Sequence, residues 1–288
     1  EVLTRDPDVD DVCLGATLSA SASGGSGGCG TVADQYRYYS GGSWGSWGSS
    51  MPSFSASSTG ADAHRIQARR TASGNGCDTD ESSAVTWNVS DLPSIGISAD
   101  RNAACVGGSI TLTASASGGV SSSYQWQYDD GGWQDVGTDS DTYAVPTGSS
   151  FSNRDYRCIY SSSAPGCGSN NSANETISVV DDPTAPTVSK TPDVSDVCNG
   201  ASLSATASGG SGGTGTISYS YQYQQPGGSW TSGSSFSASG TGTAYLRAKR
   251  TATGNGCDDS GWSSVDWTVN ADPSNGTVNR VAPAIENM

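Results

Sequence analysis

The sequence is poor in the residues that bind nucleic acid or cross a membrane. Lysine occurs only at positions 190 and 249, and 28 acidic residues outnumber 13 basic ones to give a net charge of −15. A chain this acidic repels nucleic acid and anionic lipid, so neither is predicted as a partner. No apolar run approaches the length of a membrane span, and no transmembrane helix is predicted.

Histidine is equally scarce, which limits the chemistry that the chain could perform. The single histidine, His64, has no nucleophile and carboxylate at a spacing typical of a catalytic triad, so it is predicted as an ordinary strand residue. No Cys-x-x-Cys motif supports a zinc site. Aspartate groups such as Asp129-Asp130 and Asp258-Asp259 make calcium a candidate ligand, although solvated turn carboxylates explain them better. We therefore predict no enzymatic activity and no resident cofactor.

A cysteine pattern repeats three times along the chain. The cysteine that begins each repeat is followed by x-Gly, and these three cysteines lie 92 and 93 residues apart. A Gly-Cys turn follows 64, 62 and 59 residues later. The successive pairs are Cys13 and Cys77, Cys105 and Cys167, and Cys198 and Cys257. A fixed period indicates one repeated module, and we place the modules at residues 1–92, 93–184 and 185–272.

Short alternating segments between turns predict the fold of each module. Leu18, Ala20 and Ala22 alternate with serines, which is typical of a strand with one buried face, and no segment has helical periodicity. We predict an all-β fold of three tandem immunoglobulin-like β-sandwich modules. Three tryptophans on alternating strands are predicted core residues: Trp87, Trp126 and Trp267.

Within the last residues, 273–288, the segment 273–280 matches residues 183–190, the entry strand of the third module. The last residues are the start of a fourth repeat in a longer array or, alternatively, a donor strand that pairs with a sheet edge of the next protomer. The residues predicted to form such a donor strand are Thr277, Val278, Val281 and Ile285.

The repeated motifs resemble those of a known group of extracellular modules. The Val-Cys-x-Gly start, the Gly-rich loop, the Tyr-x-Trp or Tyr-x-Tyr strand and the Asn-Gly-Cys turn are similar to immunoglobulin-like repeats of secreted and cell-surface proteins of Bacteroidota, including gliding-motility adhesins. The resemblance implies an extracellular or cell-surface location. It also implies a second cysteine pair between the Gly-rich loop and the penultimate strand. Cys29 occupies the loop position with Ala68 opposite, and Cys158 occupies the strand position with serines in the loop.

The cysteine count of the third module suggests how the repeated cysteines pair. That module contains only Cys198 and Cys257, so we predict a bridge between them. By repetition we predict the intramodule bridges Cys13–Cys77 and Cys105–Cys167, with Cys105–Cys158 as the alternative that leaves Cys167 free. Disulfides of this kind favour an oxidising compartment outside the cytoplasm.

Cys29 and Cys158 are left over and are candidates for an intermolecular cross-link. Cys158 is predicted on the inward face of its strand, where a cysteine behaves as a small apolar residue, so we favour the unpaired state. Five tryptophans beside glycines are candidate interface or glycan-stacking residues, with capping of the small cores as the alternative: Trp44, Trp47, Trp133, Trp230 and Trp262.

These observations together predict a structural protein. We predict a subunit of an extracellular filament or fibrous adhesin that assembles with copies of itself through terminal strands and module surfaces. The alternative is a set of carbohydrate-binding or spacer modules within a larger secreted enzyme or adhesin, for which glycans would be the partner.

Overall fold

The structure is a computed structural model that describes residues 1–276, and all regular secondary structure in this range is β-strand. The strands of the first module are β1 Val2–Asp6, β2 Asp11–Cys13, β3 Thr17–Ser23, β4 Val32–Ser40, β5 Ser43–Trp44, β6 Phe54–Ser55, β7 Gly60–Ala72, β8 Asp80–Glu81 and β9 Val85–Ser90. Those of the second are β10 Ser94–Ala99, β11 Ala103–Cys105, β12 Thr111–Ser117, β13 Ser122–Asp129, β14 Trp133–Val136, β15 Thr142–Ala144, β16 Phe151–Ser162, β17 Gly168–Asn171 and β18 Glu175–Val180. Those of the third are β19 Thr187–Thr191, β20 Asp196–Cys198, β21 Ser202–Ser208, β22 Ile217–Gln224, β23 Trp230–Ser232, β24 Ser235–Ser237, β25 Gly242–Ala252 and β26 Ser263–Asn270.

Each module has one small and one large sheet. In the first module the orders are β1-β3-β6 and β2-β9-β7-β4-β5, with β8 added beside β7. The second repeats this as β10-β12-β15 and β11-β18-β16-β13-β14, and the third as β19-β21-β24 and β20-β26-β25-β22-β23. The large sheets contain a parallel pair at one edge, β2-β9 in the first module and β20-β26 in the third. A small sheet and a larger sheet with this strand order form an immunoglobulin-like sandwich. The predicted all-β fold of three such modules is confirmed.

Strand β7 shows how the sequence pattern positions side chains. His64, Ile66 and Ala68 are fully buried, and the residues between them are partly exposed. Because side chains alternate across a strand, Gln67 lies on the outer face of the large sheet. Arg37 of β4 is directly opposite Gln67 in the sheet register, so it shares that outer face. The large sheet therefore has a polar outer side next to a buried inner side.

A tryptophan occupies the centre of each core, as predicted. Trp87, Trp126 and Trp267 have no exposed surface. Each indole N–H donates a hydrogen bond of 2.9 to 3.0 Å to a backbone carbonyl, so none is buried without a partner. Around Trp87 the buried cluster contains Val12, Ala16, Leu18, Ala56, Ile66 and Val89, and around Trp267 it contains Val197, Leu203, Ala205, Ala238, Ala244, Leu246 and Val269.

The contacts divide the chain into two compact units. The first comprises residues 1–102, 110–146 and 151–178, and the second comprises 103–109, 147–150 and the chain from 179 onward. Three short segments of the second module thus group with the third module. The cysteine bonds described below each lie within a single unit.

Candidate functional site at the module junctions

The first disulfide joins the first module to the second. Cys13, the last residue of β2, is bonded to Cys167, and their Cα atoms are 4.8 Å apart. The amide nitrogen of Cys13 also donates a 2.9 Å hydrogen bond to the carbonyl oxygen of Pro165. Gly166 lies so close to the first module that a Cβ added there would be 2.8 Å from Ala16. The junction therefore combines a covalent bond, a main-chain hydrogen bond and tight packing.

The second disulfide repeats this arrangement one module later. Cys105 is bonded to Cys257, with 4.9 Å between the Cα atoms, and its amide nitrogen donates a 2.9 Å hydrogen bond to the carbonyl oxygen of Asn255. The side-chain oxygen of Asn255 accepts a further 2.7 Å hydrogen bond from the amide of Ser109. A Cβ on Gly256 would be 2.3 Å from the Cα of Gly108.

The predicted intramodule bridges Cys13–Cys77, Cys105–Cys167 and Cys198–Cys257 are therefore wrong. The reason is the course of the last strand of each module. In the first module Cys13 is paired with Ser90 at the end of β9, whereas Cys77 precedes the start of that strand. At about 3.4 Å per residue, β9 alone separates the two cysteines by well over the ~7 Å that a disulfide tolerates between Cα atoms. The alternative Cys105–Cys158 is also excluded, because Cys105 is bonded elsewhere.

Each junction is built from two recurring turns. We call residues 13–16, 105–108 and 198–201 the receiving loops, and residues 74–77, 164–167 and 254–257 the cysteine turns. In every receiving loop the amide of the fourth residue donates to the carbonyl oxygen of the first, at 2.9 to 3.1 Å. The cysteine turns make the same bond at 3.1 to 3.2 Å. The third residue of each is a glycine with positive φ, a conformation that disfavours other residues.

One cysteine turn and one receiving loop, at opposite ends of the series of modules, take part in neither junction, and we call them half-junctions. Among the described residues, Cys77 in the first cysteine turn and Cys198 in the last receiving loop are not disulfide-bonded. Cys198 is exposed, whereas Cys13 and Cys105 at the equivalent positions have no exposed surface. Thus the chain contains two complete junctions and one unmatched half of each kind.

Cys29 lies beside Cys77, not beside Ala68 as the resemblance implied. The two sulfur atoms are 3.0 Å apart. The Cys29 thiol as donor lowers the pKa of Cys77, and the same hydrogen bond raises the pKa of Cys29. Cys158 differs from both because it is fully buried, and burial raises its pKa to about 11. A buried thiol of this kind cannot form the cross-link considered for Cys158.

Tryptophans in the first two modules are stacked on arginine. Arg37 lies between two indole rings, with its guanidinium carbon 4.7 Å from the ring centre of Trp44 and 4.2 Å from that of Trp47. In the second module Arg157 lies 3.9 Å from the ring centre of Trp133. These distances are typical of cation–π contacts. The tryptophans therefore cover the outer face of the large sheet and do not cap the core.

The third module repeats the stack within a shallow cleft. Arg247 lies 3.8 Å from the ring centre of Trp230 and 4.3 Å from that of Trp262. Gln224, Tyr245 and Ser264 complete the lining. The sequence analysis identified these tryptophans as candidate surface residues but did not predict their pairing with arginines on other strands.

His64 is surrounded as a buried strand residue would be, with its side chain shielded from solvent. It lies within β7 as predicted, and its Nε2 atom accepts backbone N–H bonds from Ser57 at 3.1 Å and Ser58 at 3.4 Å. Burial lowers the pKa of the imidazole, so the neutral form is favoured.

Two predicted sites remain, the candidate calcium site and the donor strand. In residues 1–276, no three His, Cys, Asp or Glu side chains are grouped so that they could hold a metal ion. The proposed donor-strand residues Thr277, Val278, Val281 and Ile285 lie outside the described residues.

Fold and junctions together define the class of protein: an all-β chain of tandem immunoglobulin-like modules in which successive modules are joined by disulfides. No protein-family model and no curated protein sequence matches it. Among solved structures, three N-terminal domains of the highly immunogenic outer capsid protein (Hoc) of bacteriophage RB49 align at 11% identity with a TM-score of 0.45, over 94% of this chain and 98% of theirs.

Immunoglobulin domains 1–5 of Sidekick-1 align at 12% identity with a TM-score of 0.42, over 91% of this chain and 56% of that one. The N-terminal four immunoglobulin domains of Dscam1 isoform 6.9 align at 13% identity with a TM-score of 0.29, over 91% and 71%. At these values the likenesses concern the fold alone, and the class is assigned from the strand pairing.

Proposed function

We propose that the chain is a structural segment of an extracellular filament or fibrous cell-surface adhesin, and that it preserves its length under tension. The observation that carries this proposal is the placement of both disulfides between successive modules. A bond inside one module would stabilise only that module. A bond between modules also limits how far two neighbours can be drawn apart.

The disulfides also support the proposed location. Such bonds persist in oxidising compartments and are rare in the cytosol. The acidic, lysine-poor composition and the similarity of the repeated motifs to Bacteroidota surface repeats support the same location. In the described part of the chain, no helix has the length and apolar character needed to cross a membrane.

Single-molecule stretching tests the mechanical role. With both bonds intact, the shortest covalent route passes from Cys13 to Cys167, back along the chain to Cys105, and across to Cys257. Reduction restores the full chain, and at ~3.5 Å per residue we expect the contour length to increase by on the order of 600 Å. An unchanged contour length after reduction would contradict the proposal.

Matched variants make this test specific. The variant Cys13→Ser/Cys167→Ser retains the second bond, which still spans most of the second and third modules. It should gain only on the order of 100 Å, because the two disulfide loops overlap. Electron microscopy of the purified oxidised chain provides the assembly readout: regular filaments support the structural role, and dispersed monomers that bind glycan tightly oppose it.

The cleft in the third module favours glycan binding as a second candidate function. Trp230, Tyr245 and Trp262 supply aromatic surface next to the polar side chains of Gln224 and Ser264. Aromatic faces with adjacent polar groups suit sugar rings. Against it, the guanidinium of the intervening arginine already occupies one face of each indole.

A glycan array with the Trp230→Ala and Trp262→Ala variants tests this candidate. Binding that is lost in both variants but kept in Trp133→Ala would support it, since Trp133 belongs to the equivalent stack of the second module. Absence of binding by the unaltered chain would dismiss it.

A further inference from the structure

The two unmatched half-junctions have complementary positions in the series. At both complete junctions, the receiving loop of one module is bonded to the cysteine turn of the following module. By this rule, Cys198 requires a cysteine turn from a module that follows the third. Cys77 likewise requires a receiving loop from a module that precedes the first.

Both halves already have the conformation found in the complete junctions. Gly76 has a φ of 77°, compared with 81° at Gly166 and 72° at Gly256. In the receiving loops, Gly200 has a φ of 85°, the same value as Gly107. The amide of each receiving-loop glycine is also held by a carbonyl of its own module, at 2.8 to 2.9 Å. Docking would therefore need little rearrangement of either turn.

The space that a partner would occupy is open. A Cβ on Gly256 would meet the backbone of Gly108 at 2.3 Å, and one on Gly166 would meet Ala16 at 2.8 Å. At Gly76, by contrast, no atom lies within 4 Å of that position.

The residues of the two halves also match those that pair elsewhere in the chain. Residues 74–78 have the sequence Gly-Asn-Gly-Cys-Asp, which is identical to residues 254–258. Asn75 therefore offers the same side-chain oxygen with which Asn255 accepts the amide of Ser109. The corresponding residue after the last receiving loop is Ser202, again a serine. This chain thus contains both complementary surfaces.

We propose that a second copy of this chain supplies the missing half, and that Cys198 of one copy forms a disulfide with Cys77 of the next. The proposal rests on the structural role proposed above and names the partner and the bond. It extends the internal junction rule from one molecule to the next.

Before docking, Cys29 forms a temporary disulfide with Cys77. A disulfide oxidant such as oxidised glutathione takes two electrons and two protons from Cys29 and Cys77, closing the bond between them. The Cys198 thiolate of a second copy then attacks the Cys77 sulfur. The Cys77–Cys29 bond breaks, and Cys29 leaves as a thiolate that takes up a proton.

The side chain of Cys29 does not obstruct a junction. In the third module, Thr214 occupies the equivalent position, since its carbonyl accepts the amide of Gly254 at 2.8 Å, as that of Cys29 accepts the amide of Gly74 at 2.8 Å. The third module nevertheless forms its bond to Cys105.

Oligomerisation of the full chain in a glutathione redox buffer tests the proposal. Non-reducing electrophoresis should show a ladder of covalent oligomers, and mass spectrometry should find the Cys77–Cys198 peptide pair. Cys77→Ser and Cys198→Ser should each lose the ladder, and a mixture of the two variants should stop at the dimer. Cys29→Ser should retain the ladder only while oxidant is present.

Three outcomes would overturn the inference: no ladder, a ladder that persists in Cys198→Ser, or a junction peptide that contains Cys29 in place of Cys77. The proposed structural role fails separately. If the unaltered chain forms filaments but no covalent ladder, the covalent link is wrong while the structural role stands. If reduction leaves the contour length of the single chain unchanged, the structural role itself is wrong.

Discussion

The amide of Cys105 donates to the carbonyl oxygen of Asn255 at 2.9 Å, two residues before the cysteine to which Cys105 is bonded. Cys13 makes the same bond to Pro165. A disulfide alone leaves rotation about its side-chain bonds, whereas the adjacent main-chain bond fixes how the two turns face each other. The two cysteines and the residue that accepts the main-chain hydrogen bond therefore act as a unit.

Removing the first bridge should destabilise the oxidised chain. In the chain-entropy model, a bond with a sequence separation of 154 residues contributes about 5 kcal/mol. We expect Cys13→Ser/Cys167→Ser to lose up to that amount in urea unfolding followed by tryptophan fluorescence. Cys198→Ser, measured on the monomer, is the control and should be nearly unchanged, because Cys198 is exposed and has no disulfide within the chain. Equal stability of the double variant and the unaltered chain would contradict the prediction.

Two glycines in equivalent turns should differ in their tolerance of alanine. Gly256→Ala and Gly76→Ala both place a side chain at positive φ, which costs about 1 kcal/mol in each case. Only at Gly256 would the new Cβ also collide with another module, 2.3 Å from Gly108. We expect Gly256→Ala to speed reduction of Cys105–Cys257 by dithiothreitol, measured by thiol alkylation and mass spectrometry. If Gly76→Ala speeds it equally, the packing at the junction is unimportant.

His64 should make the first module sensitive to mild acid. Burial lowers the pKa of the folded imidazole below the ordinary value of 6.5, so protons bind the unfolded state more strongly. The neutral imidazole therefore contributes fully to the free energy of unfolding above about pH 6.5, and this contribution is lost as the pH falls below that value. Thermal unfolding at a series of pH values should show this loss. The His64→Gln variant retains an acceptor for the Ser57 amide and should have a shallower dependence in this range.

Cys158 and Cys198 should differ sharply in reactivity. Cys158 is fully buried with a pKa of about 11, whereas Cys198 is exposed. At about pH 8, iodoacetamide should alkylate Cys198 in the native chain and leave Cys158 unmodified until denaturant is added. Peptide mass spectrometry reads both sites in the same sample. Labelling of Cys158 at the native rate of Cys198 would show that its strand opens readily.

Much of the fold could be predicted because it depends on local pattern. The cysteine period defined the repeat, and alternation identified Trp87, Trp126 and Trp267 as core residues, which their complete burial confirms. The alternation of apolar and polar residues belongs to each strand by itself, so it can be recognised in the sequence without knowing which strands pair with it.

The cysteine pairing could not be predicted in the same way. A repeat fixes where Cys198 and Cys257 lie within the third module, but not whether their partners belong to the same module or to the next. The deciding fact is that Cys198 is in register with Asn270, at the far end of β26 from Cys257. A parallel pairing between strands so distant in sequence has no local signature. The stacking of arginine on tryptophan was missed for a similar reason, since the indoles come from segments other than the strands that carry the arginines.

The overlap of the two disulfide loops has a consequence for resistance to proteases. One loop spans residues 13 to 167 and the other spans 105 to 257, so every peptide bond between residues 13 and 257 lies inside at least one of them. A protease that cuts any single exposed turn in this range therefore releases no fragment, and cuts within residues 105–167 are spanned twice. A molecule nicked once in this range therefore stays in one covalently connected piece.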